Sequence, residues 1–163
     1  MKIIARALVA GCIAAALAWS MSGPGESAHA TASVAEESPG YAVEDFRYPG
    51  ADKILAEQGI TLKRGDGHIM LADCSSGTGQ LEVWSRKYQK VFCFKVTGDS
   101  GYLALEIPAV FSVRGNNYST QIDMTAGDEK KSFDINKNEW TPVGESLDPG
   151  QRDFMLMEIR TSK

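Results

Sequence analysis

From Ile60 onward, short runs rich in Val, Ile, Leu, Phe and Tyr recur every eight to twelve residues, and clusters of Gly, Asn or Asp separate them. Runs of this length and composition are typical of β-strands, and a regular series of them predicts an antiparallel sandwich or barrel. We predict strands at residues 60–63, 68–72, 81–85, 91–97, 103–107, 110–114, 120–125, 132–136 and 154–160. The chain is therefore expected to be mainly β.

The segment before these strands has a different composition. Between Tyr48 and Gly59 it is rich in Ala, Lys, Leu, Glu and Gln, which favour a helix, and Gly59 supplies a C-terminal stop. It predicts one two-turn helix.

The first thirty residues predict export. Lys2 and Arg6 form a positive start, an apolar run reaches Trp19, and Ala28-His29-Ala30 is a small-x-small cleavage site. We therefore predict a cleaved signal peptide at 1–30, a flexible leader at 31–45 and a single sandwich domain at 46–163. The protein is then secreted and extracellular, with no membrane span after signal removal.

A second interpretation of the N-terminus concerns Cys12. Val9-Ala10-Gly11-Cys12 resembles the lipobox of bacterial lipoproteins, in which the cysteine carries the lipid. Because the apolar run continues past Cys12, we interpret this cysteine as part of the signal peptide.

Signal removal leaves two cysteines, Cys74 and Cys93, nineteen positions apart. In an oxidising compartment such a pair predicts a disulfide, which for a loop of this size stabilises the fold by roughly 3 kcal/mol. The complete fold prediction is an antiparallel β-sandwich, jelly-roll or Ig-like, with one short N-terminal helix and one disulfide.

Charge and histidine content exclude several functions. The formal net charge is −4 and no basic stretch could follow a phosphate backbone, so we expect no nucleic-acid partner. Outside the signal peptide the chain holds a single histidine, His68. With both cysteines in a disulfide, too few ligands remain for zinc, and we expect no metal and no cofactor.

Gly98-Asp99-Ser100-Gly101 is the segment that most suggests an enzyme. It resembles the sequence around the nucleophile of trypsin-like proteases, but the match ends at Tyr102, where that family has glycine. We predict instead a tight turn between the strands at 91–97 and 103–107.

Oxygen-bearing side chains suggest two further schemes. Glu82, Asp99, Glu106 and Asp123 are candidates for the paired carboxylates of a glycoside hydrolase. The spacing of Asp134, Asn136, Asn138 and Glu145 resembles an EF-hand calcium loop, although Glu139 and Pro142 break that pattern.

Outward-facing aromatic residues suggest a binding surface. Alternation places Leu81 and Val83 inside and Trp84 outside. Trp84, Tyr102 and Trp140, with Tyr88 beside them, could stack on sugar rings, and Trp84, Tyr102 and Trp140 are the predicted ligand-binding residues.

Three segments carry a family resemblance, namely 51–60, 65–74 and 101–108. They are similar to a group of small secreted actinobacterial proteins of no established activity. The resemblance implies secretion and a single domain, and it assigns no site residue.

Together these observations favour a secreted, monomeric, non-catalytic binding or interaction module that acts at or beyond the cell envelope. Carbohydrate or cell wall is the first candidate ligand. A protein-binding domain such as a protease inhibitor, whose partner is another extracellular protein, and a small glycoside hydrolase with paired carboxylates are the alternatives.

Overall fold

The computed structural model describes residues 46–163. The predicted signal peptide, the leader and Cys12 therefore lie outside the described residues. One α-helix, α1, spans Ala51–Gln58. Eleven strands lie within the described residues: β1 Phe46–Arg47, β2 Thr61–Gly65, β3 Ile69–Ala72, β4 Leu81–Ser85, β5 Lys90–Val96, β6 Ser100–Ile107, β7 Val110–Arg114, β8 Ser119–Ala126, β9 Glu129–Ile135, β10 Trp140–Pro142 and β11 Met155–Ser162.

The strands form two antiparallel sheets. The six-stranded sheet has the order β1-β2-β6-β11-β8-β9, and the five-stranded sheet has the order β10-β7-β4-β5-β3. Neither sheet closes on itself. The structure thus confirms the predicted antiparallel sandwich, with one short helix before its main strands.

The core lies between the two sheets and follows the predicted alternation. Leu81 and Val83 of β4 and Leu103 and Leu105 of β6 are fully buried. The last strand, β11, begins with an apolar run at residues 155–157 and lies between β6 and β8, and such a run predicts a central strand. Apolar side chains from both sheets form one hydrophobic cluster.

Helix α1 ends where glycine permits it. Gly59 adopts a left-handed conformation with φ of +75°, and its amide donates to the Leu55 carbonyl at 3.0 Å. A side chain at Gly59 would also meet the Tyr88 ring at about 3.0 Å. No helix of residues 46–163 has the length and hydropathy needed to cross a bilayer.

The predicted disulfide is present. Cys74 and Cys93 are bonded, and their Cα atoms lie 5.2 Å apart. Cys93 belongs to β5, and Cys74 follows β3, which pairs with β5. The bond therefore ties the edge strand of the five-stranded sheet, and the loop after it, to the neighbouring strand.

Two connections differ in detail from the sequence prediction. The turn before β6 is shorter than predicted, because β6 begins at Ser100. It also joins the two sheets, since β5 and β6 lie on opposite sides of the core. Strand β10 was not predicted, because three residues that include Pro142 form a strand only through pairing with β7.

Candidate functional site

Three aromatic side chains meet on the outer face of the five-stranded sheet: Trp84, Phe111 and Trp140. We call them the aromatic surface. The ring centroids of Trp84 and Phe111 are 5.2 Å apart with planes inclined at 44°, and those of Trp84 and Trp140 are 5.8 Å apart and inclined at 52°. Trp84 and Trp140 are each 41% exposed. Two half-exposed tryptophans side by side form a contiguous aromatic patch, which makes this face a candidate binding surface.

Each ring reaches this face for a different reason. Trp84 follows from alternation, because its neighbours Val83 and Ser85 are fully buried. Phe111 follows from a β-bulge. Trp84 pairs with Ser112 while Ser85 pairs with Val110, so Phe111 is the extra residue and lies on the outer side.

Trp140 joins the site through a long-range pairing. In β10 it lies opposite Arg114 of β7, and Arg114 in turn lies opposite Glu82 of β4. Directly opposite residues on adjacent strands share a face, so Trp140, Arg114 and Glu82 lie in one row beside Trp84.

Polar groups border the aromatic surface. The Arg86 guanidinium lies 5.0 Å from the centre of the Phe111 ring and binds Glu145 at 2.8 Å. Arg114 binds Glu82 at 3.3 Å. The surface therefore offers aromatic faces together with hydrogen-bond donors and acceptors.

A cleft of about 300 Å³ opens beside the Glu82–Arg114 pair, and we call it the loop cleft. The stretch 77–80 forms one part of its wall, and Gly115 and Asn138 also line it. Gln80 anchors that wall, because its amide nitrogen donates to the Asp73 carbonyl at 3.1 Å and to the Ser76 hydroxyl at 3.0 Å.

The start of this loop is also ordered by local bonds. The amide and the hydroxyl of Ser75 each donate to Asp73 Oδ1 at 2.8 Å. These hydrogen bonds hold the pKa of Asp73 below its ordinary value. The disulfide at Cys74 fixes the same segment to β5.

Tyr102 does not belong to this site. It is the third predicted ligand-binding residue, but it lies in β6 of the six-stranded sheet. Its hydroxyl hydrogen-bonds Glu158 at 3.4 Å, and the Arg160 guanidinium lies 5.6 Å from its ring centre. Alternation correctly turned Tyr102 away from the core, but it could not show which sheet contains β6.

Tyr88 also lies apart from the aromatic surface. Its hydroxyl donates to the Gly59 carbonyl at 2.5 Å, and its ring meets Phe92 edge-on at 5.7 Å. Tyr88 therefore closes the end of helix α1.

The four candidate carboxylates of a hydrolase lie at separate places, each bound to a cation. Glu82 pairs with Arg114, Glu106 pairs with Lys63 at 2.6 Å, and Asp99 accepts from Lys163 at 2.8 Å. Asp123 accepts from Ser132, Lys130 and Arg160. No two of these four carboxylates share a cation partner.

The pKa values of two of these carboxylates, Asp123 and Asp99, are lower than a general acid requires. Burial alone would raise the pKa of Asp123, but hydrogen bonds from Ser132, Lys130 and Arg160 outweigh it and lower the pKa to about 2. The hydrogen bond from Lys163 lowers the pKa of Asp99. A general acid needs a raised pKa, so neither group is suited to that role.

His68 and Ser100 are not joined as the base and the nucleophile of a serine protease would be. The His68 amide donates to Asp66 Oδ1 at 2.9 Å, and His68 Nδ1 lies 3.6 Å from Asp66 Oδ2. No hydrogen bond joins His68 to Ser100 in the part of the chain that the structure describes. The neighbouring Gly101 is buried, and a side chain there would approach Ile69 and Thr161 to 2.7 Å, which accounts for this glycine by packing.

The calcium-like spacing is not assembled into one site. Asp134 accepts from Gln121, Asn138 bonds Asn117 at 2.9 Å, and Glu145 binds Arg86. Within residues 46–163, no group of three or more His, Cys, Asp or Glu side chains could hold a metal ion.

The chain matches no protein-family model and no curated protein. Secretion and the resemblance to small secreted actinobacterial proteins therefore stay predictions from the sequence.

Proposed function

We propose that this chain is an extracellular, non-catalytic module that binds a polysaccharide on the aromatic surface. The observation that carries the proposal is the pairing of Trp84 and Trp140, each 41% exposed and 5.8 Å apart, on the outer face of one sheet.

The chemistry of a sugar ring matches this surface. A pyranose ring has an apolar C–H face, which an aromatic ring can cover, and hydroxyl groups at its edge, which need polar partners. Trp84 and Trp140 supply the aromatic faces. Arg86, Arg114 and Glu82 supply donors and acceptors at the border.

A protein partner is the second candidate, and the loop beside the disulfide favours it. Residues 73–79 are all exposed, and Cys74 ties them to β5. Such a loop suits an inhibitor-like contact. Its tip, Gly77-Thr78-Gly79, lacks the large aromatic or arginine side chain that usually anchors a protein interface, so we rank this candidate lower.

The test measures binding of the purified protein to amorphous chitin, amorphous cellulose and peptidoglycan, in which single chains are accessible. We expect Trp84→Ala and Trp140→Ala to lower binding by at least about 30-fold, because removing a stacking aromatic costs about 2 kcal/mol or more. The matched control is Tyr102→Ala, which removes an aromatic residue from the other sheet and should leave binding unchanged.

Thermal melting of each variant separates lost binding from lost folding. Binding that survives both tryptophan substitutions would contradict the proposal. Absence of binding to every polymer would also contradict it, and would favour the protein partner.

A further inference from the structure

We infer that the ligand is a single, twisted, electrically neutral glycan chain that runs from the aromatic surface into the loop cleft. This inference rests on the proposed function and specifies its ligand. It excludes the flat face of a crystalline polymer and a polyanionic chain.

The inclination of the rings favours a single twisted chain over the flat face of a crystalline polymer. A crystalline polymer presents many chains in one plane and needs coplanar aromatic rings to stack on it. Here Trp84 and Trp140 are inclined at 52°, and Phe111 is inclined at 44° to Trp84. Rings at these angles can each cover one sugar of a chain whose successive sugars turn relative to each other.

The charges at the site favour an electrically neutral ligand. Each arginine bordering the rings is already paired, Arg86 with Glu145 at 2.8 Å and Arg114 with Glu82 at 3.3 Å. The two pairs sum to zero charge, so they provide no field that would attract a polyanion. The remaining donor positions of Arg86 and Arg114, and the Glu82 carboxylate, can still bind hydroxyl groups.

The register of the strands indicates that the ligand continues from the aromatic surface into the loop cleft. Trp140 lies opposite Arg114, and Arg114 lies opposite Glu82. The same two charged residues line the loop cleft, together with Gly77 and Gln80. A chain stacked on Trp140 therefore reaches the cleft at its next sugars, where the Glu82–Arg114 pair meets its hydroxyls.

The first experiment compares polymer forms. Wild-type protein is measured against soluble hydroxyethyl cellulose, glycol chitin, microcrystalline cellulose, crystalline chitin and polygalacturonate. We expect binding to a soluble neutral polymer and at least about tenfold weaker binding to the crystalline form of the same backbone. Stronger binding to a crystalline polymer, or to polygalacturonate, would overturn the inference.

The second experiment tests the cleft with soluble oligosaccharides of the same two backbones, from disaccharide to hexasaccharide, by calorimetry. We expect Glu82→Ala to weaken hexasaccharide binding about tenfold, because a hydrogen bond to a charged group is lost. Disaccharide binding should not change. Glu106→Ala is the matched control, since Glu106 also pairs with a cation but lies on the other sheet.

A steric variant keeps the test independent of the Glu82–Arg114 pair. Gly77 lines the cleft, and a side chain built there meets nothing within 4 Å, so Gly77→Leu should fold and narrow the cleft. We expect the same selective loss of hexasaccharide binding. If both cleft variants bind the hexasaccharide like wild type while Trp84→Ala does not bind, the cleft is not part of the site and only this inference fails. If Trp84→Ala binds normally, the proposed function itself fails.

Discussion

The outer faces of the two antiparallel sheets differ in what their outward side chains contact. On the six-stranded sheet, outward side chains bind one another: Asp123 accepts from Lys130 at 2.9 Å and from Arg160 at 3.1 Å, and Arg160 also pairs with Glu158. On the five-stranded sheet, Trp84 and Trp140 remain half exposed.

This difference indicates which face is available to a ligand. Exposed aromatic rings gain from being covered by a ligand, and the exposed tryptophans Trp84 and Trp140 both lie on the five-stranded face. The five-stranded sheet also carries the Cys74–Cys93 bond at its edge. We therefore propose that the five-stranded face binds the ligand and that the ion pairs of the six-stranded face stabilise the fold.

Removing the disulfide should have the largest effect on stability. The double variant Cys74→Ala, Cys93→Ala frees a loop of 19 residues, and we expect a loss of roughly 3 kcal/mol in the free energy of unfolding. Urea unfolding measures this loss. Hydrogen exchange should accelerate first in β3 and the loop after it. An unchanged free energy of unfolding would contradict a stabilising role for the bond.

The next largest effect on stability is expected at Asp123, on the six-stranded face. The pKa of Asp123 is about 2 in the folded protein, below its ordinary value of 3.8, so its charged form stabilises the fold. That stability is present above about pH 4 and is lost as the pH falls through about 2. Asp123→Asn should cost on the order of 2 kcal/mol at neutral pH, from the size of that shift.

Urea unfolding across this pH range measures the difference between wild type and Asp123→Asn. The difference should shrink as the pH approaches 2. Asp128→Asn is the matched control, since Asp128 is exposed in the turn before β9 and should change little. A difference that stays constant with pH would show that the charge of Asp123 is not the cause.

A smaller effect concerns the support of the aromatic surface. Phe111 lies against Trp84 and beneath Arg86, so Phe111→Ala should weaken polysaccharide binding about fivefold, or about 1 kcal/mol, without abolishing it. Calorimetry measures the change. Phe46→Ala, which removes an exposed phenylalanine from the six-stranded sheet, is the control and should bind like wild type.

Features set by neighbouring residues were predictable from the sequence. The bounds of β4 and β7, the outward direction of Trp84 and the disulfide all follow from local alternation or from cysteine pairing in an oxidising compartment.

Features set by distant pairing were not predictable. Alternation alone would place Phe111 with Val113, and only the bulge opposite Trp84 and Ser85 turns it outward. Trp140 was named as a candidate from the sequence, but its position beside Trp84 depends on β10 pairing with β7. Tyr102 was assigned to the same surface because the order of strands in a sheet is not encoded in any single run.

Quenching of tryptophan fluorescence shows whether the ligand covers Trp84 and Trp140. In a Trp19→Phe background, the emission comes from Trp84 and Trp140 alone. Acrylamide quenching is measured without ligand and with a saturating amount of the soluble glycan that binds. We expect markedly weaker quenching in the complex, because a glycan bound on the aromatic surface covers both rings. Unchanged quenching at saturation would mean that the ligand binds elsewhere, and it would contradict the assignment of binding to the aromatic surface.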